Sequence, residues 1–128
     1  MTRYLLDTDT LIDFSRDKEP ATRLILAWID GEDEVAVCAI SVGEFFAGLP
    51  ANRVEQWEQF VLSLAYWDIS ATASMRAGQD RYALARAGRT VSMTDALIAA
   101  VAREQQATVV TGNVKDFPME GVSLLSIR

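Results

Sequence analysis

Along the whole chain, short apolar runs alternate with segments whose apolar residues return every three to four positions, and this alternation limits the fold more than any other feature. The run Arg3–Asp7 ends in a carboxylate, and Thr8–Phe14 follows with helical spacing. After Glu19-Pro20, where proline suits a first helical turn, Ala21, Leu24, Ile25, Trp28 and Ile29 fall on one face. Gly31 and the acidic run Asp30, Glu32, Asp33 and Glu34 mark a solvated turn. Glu34–Ile40, rich in β-branched residues, reads as a second strand. Ser41 with Glu44 three residues on has the spacing of a capping box, opening a helix that stops near Gly48-Leu49-Pro50. Val54, Trp57, Val61 and Leu64 define the next helix, Ala65–Ile69 a third strand, and Ser70 the cap of a helix running to Gly88. Thr94 is the expected cap of a helix whose middle, Ala96–Ala102, is apolar all round and therefore buried. Thr108–Thr111 is a fourth strand and Val122–Leu125 a weaker fifth. The order implies a three-layer α/β/α sandwich with a central parallel sheet of four to five strands and right-handed crossovers.

At 128 residues the chain is expected to form one domain, 1–128. Its longest unbroken apolar stretch, Ala96–Ala102, is far short of the roughly 20 residues of a membrane helix, and no basic segment leads into an apolar one at the start. A cytoplasmic location and no membrane partner are the corresponding expectations. The single Cys38 forms neither an internal disulfide nor a thiolate cluster, and the absence of histidine removes His-based triads and His-ligated zinc. Any acid–base or metal chemistry therefore falls to carboxylates. The net charge of −6 is unevenly spread, with 5 basic and 13 acidic residues in 1–69 against 7 and 5 in 70–128. A net-acidic chain is a poor prior for nucleic-acid binding.

In open parallel sheets, ligands bind beyond the carboxyl ends of the strands. Asp7 closes strand one and Asp9 lies two residues on; Glu44 sits in the helix after strand two; Asp95 opens the buried helix; Asn113 and Asp116 follow strand four. Each has an ordinary structural reading. Asp7 is a helix cap, Asp9 a first-turn acid, Glu44 the second half of the capping box, Asp95 a response to the helix dipole and Asp116 a loop residue. No single one is specific, but the conjunction is. Several carboxylates converging on one apolar edge repel one another unless a cation compensates them, and hard oxygen donors without His or thiolate suit Mg²⁺ or Mn²⁺.

These segments resemble those of the PIN-domain ribonucleases, especially the VapC-type toxins of prokaryotic toxin–antitoxin pairs, over essentially the whole chain. Tyr4-Leu-Leu-Asp-Thr-Asp-Thr-Leu-Ile12 is similar to the family's opening strand and first acid; Ile40-Ser-Val-Gly-Glu-Phe-Phe-Ala-Gly-Leu49 to the segment carrying its glutamate; Thr94-Asp-Ala-Leu-Ile-Ala-Ala100 to its most specific motif; Val110-Thr-Gly-Asn-Val-Lys-Asp-Phe117 to the segment supplying a fourth acid. The resemblance implies Asp7, Glu44, Asp95 and Asp116 as catalytic and metal-binding residues around Mg²⁺ or Mn²⁺. It implies hydrolysis of RNA phosphodiesters to 5′-phosphate and 3′-hydroxyl ends, a cognate antitoxin partner, a homodimer and a higher assembly with the antitoxin. Two departures stand out. Asn113 occupies a position where some relatives carry aspartate, so Asp116 ligates directly, acts through water or yields to the Asn113 amide. Asp9 stands where relatives usually have Asn, and no ligand role is implied for it.

Thr111 and Asn113 are the residues expected to position water or substrate. Arg76 and Arg81, with Arg86 and Arg89, form either a track for phosphates or a solvated helix face. Phe45, Phe46, Leu49 and Trp57 are expected either to fill the core or to supply a dimer interface. Two other functions compete. Asp7-Thr8-Asp9 mimics the nucleophile and general acid of a haloacid-dehalogenase-like phosphatase, although Leu11 and the short chain fit that family poorly. A non-enzymatic module with an acidic edge for a basic partner is the second. A P-loop is excluded, since no glycine-rich run precedes Lys-Ser or Lys-Thr.

Overall fold

The computed structural model describes residues 1–128. Five strands, β1 (Arg3–Leu6), β2 (Glu34–Cys38), β3 (Ala65–Trp67), β4 (Thr108–Thr111) and β5 (Ser123–Ser126), alternate with six helices. The helices are α1 (Thr8–Ser15), α2 (Ala21–Asp30), α3 (Ala39–Ala47), α4 (Val54–Ser63), α5 (Ala71–Arg86) and α6 (Met93–Glu104). The sheet is wholly parallel in the order β3-β2-β1-β4-β5, with Tyr4 opposite Val35 on one side and Thr108 on the other.

Alternate side chains enter two separate cores, as strands covered on both faces require. Leu5, Ala36, Cys38, Trp67 and Val109 pack with α5 and α6, whereas Leu6, Val35, Val37 and Val110 pack with α1 to α4. Leu5, Leu6 and Val37 have no exposed surface. Burying a side chain of that kind stabilises the fold by about 1.5–3 kcal/mol relative to leaving it in water. The apolar stretch Ala96–Ala102 lies in α6, and six of its seven side chains belong to the first core, with Leu97 packed against it. No helix is long and apolar enough to cross a membrane.

Two helix starts differ from the sequence expectation. α3 begins directly from Cys38, which is extended at φ −128°, so Ser41 is inside the helix, fully buried, with its hydroxyl donating to the Cys38 carbonyl at 3.3 Å. The capping box does not form, because the strand turns into the helix two residues before Ser41. α6 is capped by Ser92 rather than Thr94: Ser92 Oγ accepts from the Asp95 backbone N–H at 3.1 Å, two residues earlier than the apolar pattern indicates. Ser70 caps α5 as expected, accepting from Ala73 N–H at 3.0 Å.

Phe45 and Trp57 are core residues, and Phe46 and Leu49 are half-buried beside them. Phe45 and Trp57 are buried in edge-to-face contact, and Phe46 and Leu49 pack against the same cluster. The exposed large apolar side chains lie elsewhere, among them Leu62, Tyr66, Met75 and Tyr82.

Candidate active site at the β1–β4 edge

Strand order runs from β1 outward to β2 and β3, then returns to the other side of β1 with β4. The chain reverses between β1 and β4, and at their carboxyl ends the two helices that flank such a point leave a crevice. Asp7 and Thr111 stand on its two lips. The Asp7 backbone N–H donates to the Val110 carbonyl at 3.0 Å, extending the β1–β4 ladder by one residue, and Thr10 Oγ1 donates to the same carbonyl at 2.7 Å.

Asp7 is the N-cap of α1. One carboxylate oxygen accepts from the Thr8 backbone N–H at 2.8 Å, and the other accepts from Thr111 Oγ1 at 2.8 Å. Although held by these donors, its carboxyl is pushed up to about 6 by burial, with the Asp9 and Asp95 carboxylates adding to the rise. Asp9 accepts from the Gly112 N–H at 2.9 Å; burial raises its pKa, and the Arg128 guanidinium opposes the rise. Asp95 is raised by burial as well, against the Ser92 contact, with the Asp116, Glu44 and Asp9 carboxylates contributing. Glu44, exposed on α3, accepts from the Thr8 hydroxyl at 2.7 Å. Asp116 closes a 3₁₀ turn, Val114–Asp116, and its N–H donates to the Asn113 carbonyl at 3.0 Å. The topology thus gathers onto one edge the four acids singled out from sequence, together with Asp9, Thr111 and Asn113.

No arginine or lysine forms an ion pair with Asp7, Glu44, Asp95 or Asp116; the ion pairs of this protein lie at Glu34, Glu19, Asp80 and Asp13. The edge therefore has the electrostatics of a cation site, with acids raising one another and only oxygen donors on offer. As placed, no three acidic side chains stand close enough together to share one ion. Each is turned toward an internal donor: Glu44 to Thr8, Asp9 to Gly112, Asp7 to Thr111. The donor set fits a hard divalent ion.

Arg76 does not reach this edge. Ser70 at the start of α5 donates to Glu104 at 2.7 Å, so α5 begins beside the end of α6 farthest from Asp95, about 14 Å away along the helix. Arg76 lies there, paired with Asp80 at 3.3 Å. Arg81 donates to the Val91 carbonyl at 2.8 Å and supports the segment leading into α6. Arg76 therefore stands apart from the acids, whereas Arg81 reaches the carbonyl of the residue before Ser92, the cap of the helix that carries Asp95.

Four contributors were missed from sequence. Thr8, Gly112, Asp13 and Arg128 carry no motif signal of their own, and their partners are remote in the chain, up to 115 residues away for Asp13 and Arg128. Gly112 alone left a trace, as a glycine between the end of a strand and Asn113, the setting of a close backbone approach.

Three comparisons bear on this arrangement. The family model described as "PIN domain" matches residues 4–118. The chain is 29% identical over 126 residues to the tRNA(fMet)-specific endonuclease VapC of Shigella flexneri, covering 94% of each. It is 28% identical over 120 residues to ribonuclease VapC2 of Rickettsia felis, covering 89% of each. Among solved structures, the DNA-bound VapBC of Salmonella typhimurium superposes with a TM-score of 0.84 at 26% identity over the whole of both chains. The promoter-bound VapBC2 of Rickettsia felis does so with a TM-score of 0.83 at 23% identity over 98% of each. With a family model spanning all but the first three and last ten residues, and a five-stranded parallel sheet that gathers the acids at its switch point, this chain belongs to the PIN domain family.

Proposed function

We propose that this chain is a divalent-metal-dependent endoribonuclease and the toxin of a toxin–antitoxin pair, with Asp7, Glu44, Asp95 and Asp116 as its metal-binding acids. The observation that carries the reading is the convergence of these carboxylates at the β1–β4 edge without a lysine or arginine paired to any of them. Likeness to VapC ribonucleases over nine-tenths of the chain supports it.

Asp7 and Asp95, at the two best-buried positions of the set, would hold Mg²⁺ or Mn²⁺, with Glu44 and Asp116 closing the site from α3 and the turn after β4. When bound there, such an ion lowers the pKa of a coordinated water and stabilises the leaving oxygen of a phosphodiester. Thr111 keeps the Asp7 carboxylate turned into the crevice by donating to Oδ2, and accepts from the Asn113 N–H at 3.0 Å, so one hydroxyl ties the acid to the turn that carries Asn113 and Asp116. Asp9 is engaged by the Gly112 N–H, which argues against the general-acid role it would need in a phosphatase.

The partners in this reading are RNA and an antitoxin, and the compartment is the cytoplasm. A homodimer belongs to the same proposal, its apolar surface supplied by exposed Met75 and Tyr82 on α5 rather than by Phe45 and Trp57. Incubation of the purified chain with structured and unstructured RNAs, in Mg²⁺ or Mn²⁺ and in EDTA, tests the activity. Cleavage with divalent ion, none in EDTA and none in Asp95→Asn is expected. Intact RNA under every metal condition, together with unimpaired growth of a bacterial host expressing the chain, overturns the reading. Rescue of growth by a small reading frame encoded beside it identifies the antitoxin.

A further inference from the structure

We propose that Arg128 is a positioning residue for the acidic edge: paired with buried Asp13 and laid over Gly112, it holds the Thr111–Asn113 turn and the Asp9 carboxylate in register with Asp7. The inference rests on the nuclease reading of that edge and adds to it a residue from outside the four acids.

Asp9 and Asp13 lie four residues apart on α1 and so share a face, where like charges repel. Asp13 is 4% exposed and therefore needs a cation with it inside the fold. Arg128 supplies that cation, both guanidinium nitrogens reaching the Asp13 carboxylate. The same guanidinium acts on Asp9, opposing the rise that burial and Asp13 impose on it. Delivery is by the backbone: Ile127 N–H donates to the Thr111 carbonyl at 3.0 Å, which places residue 128 directly over the end of β4.

Gly112 leaves the space that both groups fill. A Cβ built on it would stand 2.9 Å from Arg128 Cζ and 2.6 Å from Asp9 Oδ2, so the guanidinium and the carboxylate both close on the space a side chain would take. The Gly112 N–H holds Asp9, and its neighbour Thr111 holds Asp7. Arg128 therefore packs against the backbone that presents two of the edge's acids. It touches none of Asp7, Glu44, Asp95 or Asp116 by hydrogen bond or ion pair, and its effect on cleavage is transmitted through the turn.

The test uses the full chain with Arg128→Gln, Arg128→Lys and Asp13→Asn, each assayed well below its own melting temperature. Two readouts are taken: the split between kcat and KM for RNA cleavage, and hydrogen exchange of the Gly112 amide in metal-free protein. Arg128→Gln and Asp13→Asn are expected to lower kcat about tenfold to a hundredfold, the scale of loss for a site displaced by about 1 Å, with KM held within about twofold. Gly112 amide protection falls in both, and the double variant is no worse than the poorer single one, because one interaction has been removed twice. Arg128→Lys recovers part of kcat and part of the protection. A folded Arg128→Gln with unchanged kcat and an equally protected Gly112 amide overturns the proposal. So does a rise in KM alone, which would make Arg128 a direct RNA contact. Absence of cleavage by the unmodified chain would instead sink the nuclease reading, and the exchange data would still decide whether Arg128 holds the turn. Should Arg128→Gln fail to fold, Asp13→Asn and Arg128→Lys carry the same readouts.

Discussion

The Thr8 hydroxyl donates to the Glu44 carboxylate at 2.7 Å, joining the first turn of α1 to the middle of α3. Glu44 is thus held by a side chain 36 residues away and not by the start of its own helix. Ser41, its expected capping partner, is a buried helical residue bonded only weakly to the carbonyl of Cys38.

Stability and cleavage should therefore separate at these two positions. In Glu44→Gln the amide oxygen still accepts from Thr8, and the change in unfolding free energy should stay within about 1 kcal/mol. Cleavage should fall by at least the roughly 10–100-fold lost when a group merely supporting a metal ligand is removed. Ser41→Ala removes a 3.3 Å hydrogen bond but inserts the best helix former, and should be neutral to within about 1 kcal/mol with full cleavage. Urea denaturation and RNA cleavage across a Mg²⁺ titration check both; wild-type rates in Glu44→Gln would remove Glu44 from the site.

What was legible in the sequence was whatever depends on near neighbours. A strand buried on both faces, such as the one that ends in Leu5-Leu6, declares itself by composition, and an acid at its end by position, so Asp7, Glu44, Asp95 and Asp116 are legible as candidates for one edge. Helix starts differ by three residues at α3 and two at α6, because several residues near a helix start compete for the cap and only the backbone path decides between them. Arg76 falls away from the edge for a different reason. A helix's outward charges say nothing of which end lies at the active edge, and α5 runs with Arg76 at the far end. The Asp13–Arg128 pair was invisible, since its two members are 115 residues apart and neither belongs to a motif.

Asp7 gives the metal-free protein a pH dependence with a definite sign. Its folded pKa of about 6 lies above the ordinary 3.8, so the fold holds this proton more tightly than the unfolded chain does. The stability it contributes is fully present below pH 3.8 and is lost as pH rises through about 6. The full effect is on the order of 2–3 kcal/mol at most. Asp7→Asn lacks the titration, so its stability advantage over the unmodified chain should grow from small near pH 4 to full above about pH 7. Denaturation series for both proteins in EDTA measure the difference; a flat gap across that range means that burial does not raise Asp7.

A divalent ion should reverse that penalty. Binding to the folded chain alone raises stability by about 2.7 kcal/mol at a hundred times the dissociation constant. The melting temperature of the unmodified chain should therefore climb with Mn²⁺, less steeply below pH 6, where protons compete for Asp7. Asp7→Asn and Asp95→Asn should climb little. Equal shifts in all three proteins would place the ion elsewhere.

Gly112→Ala and Gly78→Ala ask the same chemical change of two different surroundings. Around Gly78 on α5 an added Cβ meets nothing within 4 Å, so alanine should stabilise the helix by about 0.5–1 kcal/mol and leave cleavage unchanged. At Gly112 the methyl group would be driven to 2.6 Å from Asp9 Oδ2 and 3.1 Å from Arg128 Cγ. Arg128 is partly exposed and can swing aside; Asp9 is held by the Gly112 N–H itself and cannot move without breaking that bond. Alanine there should cost about 1–3 kcal/mol, in the range of overpacked interiors, and should depress cleavage even where the protein is fully folded. The decisive measurement is the cleavage rate of folded Gly112→Ala well below its melting temperature. A normal rate would mean that Asp9 and the turn after β4 tolerate displacement, and that the acids of the edge do not depend on them for their placement.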